Sequence, residues 1–520
     1  MISLRVDPAT AATPAKLKAA VAREAGVSPS DIESVVIRRR SIDARQRNIM
    51  VNLSVDAEIK GRSSESAPRP QPLPFPILPP DAPQAVVVGA GPAGLFAAAA
   101  LIGHGVRPVL LERGKDVDSR RLDVAQIART QEVDPESNYC FGEGGAGAFS
   151  DGKLYTRSTK RGPVDTVLAT FVECGSDADI LVDAHPHIGT DRLPYIIRTL
   201  RERIIAAGGE VRFMTRVDRL IIGGDGESRH CEGVVTASGE EIRGQVILAT
   251  GHSARDVYSF LLDQNVEIAP KGIAVGCRVE HPQTLIDSIF YHNPKGRGPY
   301  LPPAEYSLLT RVDGRAVYSF CMCPGGVVIP ASSGPGLLVV NGMSPARRGT
   351  RWANTGMVVE VLPEDIPGDS PLRMMDYQMS IERRLSEAVG GTQHAPAQCV
   401  PDFIAGRKSD TLPPSSYPPG IVSMRLDKLL PAPIASRLGK GLMEFGRRYR
   451  GYAGRDGLMI GCETRTSSPV RVTRDPVTLA HTGVAGLYPC GEGAGYAGGI
   501  VSAAIDGIRC AASLAASLGK

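Results

Sequence analysis

One stretch, residues 84–114, constrains the fold more than any other: QAVVVGAGPAGLFAAAALIGHGVRPVLLERG. Its short apolar run before the glycines is typical of a strand buried on both faces. A G-x-G-x-x-G turn, a helix of small residues and a second apolar strand follow. This order predicts a strand–helix–strand unit in which the turn and the helix N-terminus bind a pyrophosphate.

The residues of this unit have distinct physical roles. We expect Gly89 to make the tight turn, Gly91 to let the backbone approach a phosphate, and Gly94 to let the helix pack on the strand. Glu112 is placed to accept a hydrogen bond from a ribose hydroxyl. An acid at this position disfavours a 2′-phosphate, so the unit predicts FAD or NAD rather than NADP.

The composition is that of a globular protein with more than one domain. A chain of 520 residues is too long for one core, and a formal net charge of +4 gives no reason to expect nucleic acid or an acidic membrane as partner. Ten cysteines without a repeated spacing favour a reducing compartment. The start MISLRVDPAT lacks a signal core, and the most apolar stretch, near residues 96–102, is too short to cross a bilayer. We expect a soluble, cytoplasmic protein.

The first part of the chain divides into a module and a linker. Residues 1–62 predict a small α/β module, in which Arg38, Arg39 and Arg40 form either a solvated strand edge or a contact with an anionic ligand or partner domain. Residues 63–83 are rich in proline and predict a semi-rigid linker. A docking site for an SH3-like partner is the alternative for this segment.

A second glycine-rich stretch, residues 139–155, reads YCFGEGGAGAFSDGKLY. So many glycines with apolar flanks predict a loop that wraps a bound cofactor, or alternatively a plain surface loop. An apolar strand that ends in Ala-Thr-Gly at 249–251 predicts backbone passing close to a ligand, with a simple turn as the alternative. Between these stretches, the sequence predicts a helix over 190–207 capped by Thr190 and a strand over 211–217.

The middle and the end of the chain complete the predicted architecture. Residues 273–362 carry short strand patterns that predict an inserted antiparallel sheet, and such an insertion commonly shapes a pocket at a domain junction. Residues 486–514 return to a short strand, a glycine-rich turn and an Ala-rich helix. A second helix N-terminus suits the negative charge of a reduced flavin. Two such turns predict one extended ligand, for which FAD fits better than NAD.

The same stretches resemble an uncharacterised bacterial family of FAD-dependent dehydrogenases, or NAD(FAD)-utilising oxidoreductases, within the two-dinucleotide-binding flavoproteins of the glutathione-reductase type. The resemblance covers about residues 85–515. Its motifs, in chain order, are GAGPAG with Glu112-Arg113, FGEGGAGAFSDGKL, HIGTDRL, ATGHSARD, SFCMCPGG, NGMS, ETRTSSPVR and GEGAGYAGGIVSA. SDGKL and ETRTSSPVR are more specific than the glycine fingerprint.

The resemblance implies an α/β fold in which a Rossmann-like FAD-binding domain, residues 84–270 and 461–520, is interrupted by a β-rich substrate domain with helices, residues 271–460. It implies that the adenosine diphosphate half of FAD is held by Gly89, Gly91, Pro92, Ala93, Gly94, Glu112 and Arg113. It implies that the middle is lined by Gly145, Ser150, Asp151, Gly152, Lys153, Thr250 and Gly251, with the Val217 backbone on adenine. The ribityl chain and ring would face Gly491, Glu492, Gly498, Gly499 and Ile500.

Four side chains are candidates for chemistry beyond the flavin. Cys323 forms a C-x-C with Cys321, which is either a redox pair or two buried structural cysteines. Arg465 could clamp a substrate carboxylate or form a structural ion pair. Tyr496 could face substrate, and His187, near His185, could bind substrate, donate protons or pack at a helix entry. No metal site is expected, because no second ligand pair accompanies the cysteines.

The sequence therefore predicts an FAD-dependent oxidoreductase that transfers a hydride between flavin and an organic substrate. Because a second nicotinamide-type glycine turn is missing, NADH or NADPH would bind transiently as reductant, or another reductant would serve. The alternatives are an FAD-dependent monooxygenase or halogenase, a non-catalytic flavin-binding sensor or scaffold, and an NAD-only dehydrogenase. Neither the substrate nor the oligomeric state follows from the sequence.

Overall fold

The computed structural model describes residues 1–62, 69–156 and 162–520. The N-terminal module is a three-stranded antiparallel sheet of order β1-β3-β2, with a helix packed on it through Leu17 and Val21. Its elements are β1 Ile2–Val6, α1 Pro8–Ala12, α2 Pro14–Ala25, β2 Ile32–Asp43 and β3 Met50–Ile59.

The described part of the linker, residues 69–83, has no helix or strand and follows the surface of the next domain. The Leu73 amide donates to the Thr170 hydroxyl at 3.0 Å, and the Leu78 amide donates to the Ala207 carbonyl at 2.9 Å. This part of the proline-rich segment is therefore docked on the protein, while residues 63–68 of the predicted linker lie outside the described residues.

A five-stranded parallel sheet of order β22-β10-β4-β5-β6 forms the centre of the molecule. Along β4, Ala85 and Val87 pack into one apolar cluster and Val86 and Val88 into another, which explains the continuous apolar run. The elements of this part are β4 Gln84–Val88, α3 Pro92–Gly103, β5 Arg107–Leu111, α4 Val117–Thr130, α5 Val164–Glu173, α6 Leu193–Ala206, β6 Glu210–Arg212, β7 Val217–Gly223, β8 His230–Thr236, β9 Glu241–Arg243, β10 Gln245–Leu248, α7 Arg255–Asp263 and β11 Ile268–Pro270, and from the chain's end β21 Val470–Val472, β22 Leu487–Pro489 and α13 Ile500–Ser517.

Helices α3 and α13 pack closely on each other because their contact surface is built of small residues. A Cβ atom added at Gly507 would lie 2.1 Å from the Ala93 carbonyl oxygen, so only glycine allows this approach. Within the described residues, α13 is the one helix whose length and composition would suffice to cross a membrane. It is 61% buried in the protein, as expected for a core helix.

The insertion is built on a seven-stranded sheet of order β13-β14-β17-β12-β20-β18-β19. It is antiparallel as predicted, except for the parallel β18–β19 pair. Its elements are β12 Ile273–Pro282, α8 Gln283–Phe290, β13 Leu309–Val312, β14 Arg315–Cys323, β15 Val327–Pro330, β16 Val340–Met343, β17 Trp352–Val361, α9 Arg373–Ala388, β18 Ala395–Cys399, α10 Val400–Ile404, β19 Ile421–Ser423, α11 Leu426–Leu429, α12 Ala432–Arg448 and β20 Leu458–Glu463.

Two local predictions are wrong. Helix α6 begins at Leu193 rather than Thr190, because the backbone at Gly189 has φ +94° and the Thr190 hydroxyl donates to Met343 sulfur instead of capping the helix. The predicted strand over 211–217 is two strands, β6 and β7, separated by Met214 at φ +52°. At both places a residue with positive φ turns the backbone, Gly189 just before the predicted helix start and Met214 within the predicted strand.

Candidate functional site

A cavity of about 620 Å³ lies at the carboxyl ends of the central parallel strands, where the insertion meets the sheet. Open α/β sheets bind ligands at this edge. The residues predicted for cofactor binding that line it are Gly89, Gly91, Pro92, Ala93, Glu112, Arg113, Gly145, Ser150, Asp151, Gly152, Lys153, Val217, Thr250, Gly251, Glu492, Gly498, Gly499 and Ile500. The structure therefore brings glycine turns from opposite ends of the chain to one cavity.

The first glycine turn joins β4 to α3 on the cavity wall. Gly89 has φ +101°, and its Cβ would lie 2.5 Å from the Ala249 carbonyl oxygen. Gly91 is the N-cap of α3, and the nearest atom to its Cβ would be the Gly145 Cα at 3.9 Å. The unpaired N–H groups of the first turn of α3 start here and can bind an anion.

Two predicted residues lie behind the cavity rather than on it. A Cβ at Gly94 would lie 1.8 Å from the Gly89 carbonyl oxygen, so Gly94 sets the packing of α3 against the turn. The Gly491 amide donates to Asp506 at 2.8 Å, and its Cβ would lie 2.7 Å from that of Ala93. Both glycines support the shape of the site.

Glu112 is a buried carboxylate that organises the turn through backbone amides. Its Oε2 accepts from the Ala90 amide at 2.8 Å, and its Oε1 accepts from the amides of Gly114 and Gly142, each at 2.9 Å. These bonds fix the first glycine turn to the second glycine-rich stretch. The predicted bond to a ribose hydroxyl would have to share oxygens that already accept from backbone amides.

Arg113 lines the cavity beside this turn and fixes a neighbouring part of its wall. Its guanidinium lies 4.3 Å from the centroid of the Phe141 ring and pairs with Glu136 and Asp256. Phe141 also lines the cavity, so Arg113 fixes an aromatic wall.

The second glycine-rich stretch contributes charge to the middle of the cavity. Asp151 is buried, with Oδ2 accepting from Arg348 at 3.0 Å and Oδ1 without a partner among the described residues. The Ser150 hydroxyl donates to the Gly147 carbonyl at 2.7 Å and accepts from the Gly152 amide at 3.0 Å. The Lys153 amino group donates to the Met322 carbonyl and thereby joins this stretch to the insertion.

The C-terminal glycine turn provides the opposite wall. Gly499 is the N-cap of α13, and no atom of the described residues lies within 4 Å of a Cβ at Gly498 or Gly499. Glu492 lies beside this turn, and burial, partly offset by Lys271, raises the pKa of its carboxyl to about 7. It can therefore hold or release a proton near neutral pH.

The candidates for chemistry occupy different positions. Arg465 lines the cavity, but it is ion-paired with the buried Glu382 at 3.0 Å, as in the structural alternative. Tyr496 does not line the cavity, and the Arg474 guanidinium lies 3.7 Å from its ring centroid. His187 also lies outside the lining; its Nε2 contacts the Ala346 carbonyl at 3.0 Å, and burial lowers its pKa.

The C-x-C reaches the cavity through a different residue from the one favoured by the sequence. Cys323 is fully buried, whereas Cys321 lines the cavity. Phe320 and Asn341 of the insertion and His252 after β10 also line it and were not predicted individually. The motifs SFCMC, ATGHS and NGMS carry Phe320 and Cys321, His252, and Asn341. The motifs mark these residues, but only the folded insertion shows that Phe320, Cys321 and Asn341 reach the cavity.

The residues present fit FAD. The volume lies within the range of ligand pockets, and two helix N-termini face the cavity from opposite ends of the chain. A Cβ at Gly91, Gly498 or Gly499 would meet no atom closer than 3.9 Å in the part of the chain that the structure describes, so these glycines keep the cavity open rather than pack the core. The unpartnered Asp151 Oδ1 adds an acceptor on the wall that a ligand hydroxyl or amine could satisfy.

Matches to known proteins agree with this arrangement. Residues 83–127 match a family described as FAD binding domain, residues 272–466 match one described as FAD-dependent protein, C-terminal domain-like, and residues 1–58 match a domain of unknown function. An uncharacterized protein of Clostridium beijerinckii is 41% identical over 527 residues, which cover 95% of each chain.

Similar solved structures include a geranylgeranyl bacteriochlorophyll reductase-like protein from Thermoplasma acidophilum, with 13% identity, a TM-score of 0.36 and coverage of 84% of this chain and 79% of that one. Another is CtdE in complex with FAD, with 11% identity, a TM-score of 0.31 and coverage of 82% and 81%. The sheet topology and the FAD-binding-domain match confirm the predicted α/β, Rossmann-like fold class. The chain therefore belongs to the same family as the C. beijerinckii protein, and its two domain matches identify it as an FAD-dependent protein.

Proposed function

We propose that this protein is an FAD-dependent oxidoreductase that transfers a hydride between bound FAD and a small organic substrate, with NADH or NADPH as a transient reductant. The observation that carries the proposal is the single cavity bounded by both glycine turns and closed by the insertion. When bound, FAD supplies the two-electron chemistry itself. The chain's own residues then have to bind it, exclude water and choose the substrate.

The two ends of the cavity have different roles in this proposal. The N-terminus of α3, with Gly91, would hold the pyrophosphate by its free N–H groups and its dipole. The N-terminus of α13 faces the cavity as well, and its dipole would favour negative charge on a reduced flavin. Glu112 acts indirectly, by holding the backbone that shapes the phosphate end.

The substrate would enter between the sheet and the insertion. Phe320 and Asn341 supply an apolar and an amide surface there, and His252 is held neutral because burial lowers its pKa to about 4. Glu492, on the opposite wall beside the C-terminal glycine turn, has a pKa of about 7 that suits proton transfer at neutral pH. These features favour a neutral or weakly polar substrate over a dianion.

The test is anaerobic reduction of the purified protein. We expect a yellow protein with absorbance near about 450 nm from the oxidised flavin, bleached by NADH or NADPH and restored by an oxidised metabolite found by screening. Oxygen consumption coupled to substrate turnover would instead favour the monooxygenase alternative. A flavin that no nicotinamide or metabolite reduces would favour a sensor, and a colourless protein that refuses FAD would overturn the proposal.

A further inference from the structure

Two cysteines meet where β14 ends against the cofactor cavity. Cys321 is partly exposed on the cavity wall, whereas Cys323 is fully buried. The Cys323 thiol donates to the Cys321 carbonyl oxygen at 3.4 Å. The pair therefore consists of one cysteine that a ligand in the cavity can reach and one that is buried in the protein.

The backbone at this pair departs from a regular strand. Phe320 pairs with Gly356 and Cys323 pairs with Asn354, so β14 has one residue more than its partner β17 over this interval. Within the resulting bulge, Cys321 has φ +47°, a left-handed conformation that costs a non-glycine residue about 1 kcal/mol or more. Bulges re-aim side chains next to active sites, and here the bulge presents Cys321 to the cavity.

Two cations surround the pair. Arg278 is fully buried, and its Nη2 donates to the Cys321 carbonyl at 2.7 Å and to the Cys323 sulfur at 3.4 Å. Lys153 contacts the intervening Met322 carbonyl from the cavity side. The neighbouring Cys323 thiol, together with these cations, lowers the pKa of Cys321, whereas the Cys321 sulfur and burial raise the pKa of Cys323.

This asymmetry is what thiol–disulfide chemistry requires. A thiolate is the reactive form of cysteine, and it forms readily beside cations and a hydrogen-bond donor. Burial alone has the opposite effect, since it raises the pKa of Cys174, Cys231 and Cys277 in this protein. The opposite shifts favour a thiolate at Cys321 and a retained proton at Cys323.

We propose that Cys321 and Cys323 form a second redox centre, a dithiol/disulfide pair that exchanges two electrons with FAD bound in the same cavity. The proposal rests on the proposed function for its electron partner. In the oxidation, a sulfur–sulfur bond forms, the Cys323 S–H bond breaks, and two electrons and that proton pass to oxidised FAD, which becomes the singly protonated reduced form. The reverse step consumes reduced FAD and restores the thiolate and the thiol.

The first test counts electrons. Anaerobic dithionite titration of the air-oxidised holoprotein should consume four electrons per bound FAD, two for the flavin and two for the disulfide. Cys321→Ser and, separately, Cys323→Ala should consume two. Cys140→Ser is the control, because Cys140 also lines the cavity but contacts Arg465 instead of a second cysteine, and it should still consume four.

The second test does not depend on flavin or on variants. Cleavage after Arg315 and Arg347 releases residues 316–347, a tryptic peptide whose cysteines are Cys321 and Cys323 alone. In the wild-type protein equilibrated with oxidised dithiothreitol, the mass of this peptide should be two hydrogens below that of the dithiol form. The peptide should also resist alkylation. In reduced dithiothreitol it should take two alkyl groups.

The outcomes separate the two proposals. Uptake of two electrons by the wild-type holoprotein, or a peptide that keeps two free thiols in oxidised dithiothreitol, overturns the redox centre and leaves the FAD-dependent function standing. A protein without FAD overturns the proposed function, and the peptide masses then still support or overturn the dithiol/disulfide pair.

Discussion

The three glycines of the first turn differ in what an added methyl group would meet. For Gly91→Ala the new Cβ has open space, with the nearest atom 3.9 Å away, so we expect the free energy of unfolding to fall by only about 0.5 kcal/mol, the cost of alanine at an N-cap. The methyl group would instead occupy the space of the pyrophosphate. The Kd for FAD should rise about tenfold or more, about 1.4 kcal/mol, measured by fluorescence titration of the apoprotein.

Gly94→Ala is the matched comparison, since its Cβ would lie 1.8 Å from the Gly89 carbonyl oxygen. This variant should lose about 3 kcal/mol of unfolding free energy by overpacking, seen in denaturant unfolding of the apoprotein. Equal losses of stability in both variants, or an unchanged Kd for FAD in Gly91→Ala, would contradict the assignment of Gly91 to ligand approach.

Glu492 should make the flavin potential depend on pH. Because the pKa of its carboxyl is about 7, the group is neutral at pH about 6 and anionic at pH about 8. The anion opposes negative charge on the reduced flavin. Glu492→Gln should therefore raise the midpoint potential by about 30 mV at the higher pH, about 1.4 kcal/mol for two electrons, with little change at the lower pH.

Spectroelectrochemical titration measures this effect, and Glu202→Gln, an exposed carboxylate on α6, is its control. A shift that is the same at both pH values would show that Glu492 does not titrate between them. An equally large shift of the midpoint potential in Glu202→Gln would show that the effect arises from the net charge of the protein.

At the scale of elements, a buried cluster joins α7, α9 and the loop after β20. Glu382 on α9 is fully buried between two guanidinium groups, Arg255 at 2.9 Å and Arg465 at 3.0 Å. Burial raises the pKa of Glu382, but the two cations more than offset it and hold the pKa at about 2. The cluster therefore fixes the insertion's helix against the edge of the cofactor cavity.

Glu382→Gln should lower the free energy of unfolding by about 3 kcal/mol at neutral pH, because two buried guanidinium groups lose their counter-charge. In the wild type the folded pKa lies below the unfolded value of 4.5, so this stabilisation is present above pH 4.5 and is lost as the pH falls toward 2. Denaturant unfolding as a function of pH measures it. The difference between variant and wild type should shrink across that window.

Glu387→Gln, at an exposed position on the same helix, is the control and should change stability by less than about 0.5 kcal/mol. A loss in Glu382→Gln that stays constant from neutral pH down to pH about 2 would contradict the role of the carboxylate charge.

Sequence patterns predict the helices and strands of this region better than the residues at which they begin and end. The strand, glycine turn and helix at 84–103 are confirmed because apolar runs and glycine spacing are local signals. A capping residue is also a local signal, and it predicts a start of α6 at Thr190. In the structure α6 begins at Leu193, because Gly189 packs against Ala346 of the insertion and turns the chain there. A contact with residues over 150 positions away decides that helix start, and no local pattern contains it.

At the scale of the whole molecule, the cavity combines glycine turns whose role the sequence predicts with insertion residues whose place in the cavity it does not predict. Glycine positions could be predicted since backbone constraints permit few other residues. Phe320, Cys321 and Asn341 reach the cavity only through the register of the seven-stranded sheet and the bulge in β14. The ion pair of Arg465 likewise depends on α9, which lies some 80 residues away in sequence.

The N-terminal module is joined to the rest of the molecule through Arg40, one of the three clustered arginines. The Arg40 amide donates to the Val182 carbonyl at 2.9 Å, and its guanidinium pairs with Asp183 at 2.6 Å and with Asp179 at 3.0 Å. For Arg40, the structure has the contact with a partner domain that the sequence left as one alternative. Arg39 is exposed and forms no ion pair among the described residues.

Arg40→Ala should loosen this contact without unfolding either side. Partly exposed ion pairs contribute up to about 1 kcal/mol each, so hydrogen exchange of the backbone amides over residues 180–184 should accelerate about fivefold, while the central parallel sheet keeps its protection. Arg39→Ala is the matched control and should leave exchange unchanged. If exchange over 180–184 stays the same in Arg40→Ala, the module is held without the charge by two backbone hydrogen bonds, from the Arg40 amide to the Val182 carbonyl and from the Ala184 amide to the Arg40 carbonyl. If exchange rises throughout the module as well, Arg40 stabilises the module's own fold, and the role in docking is wrong.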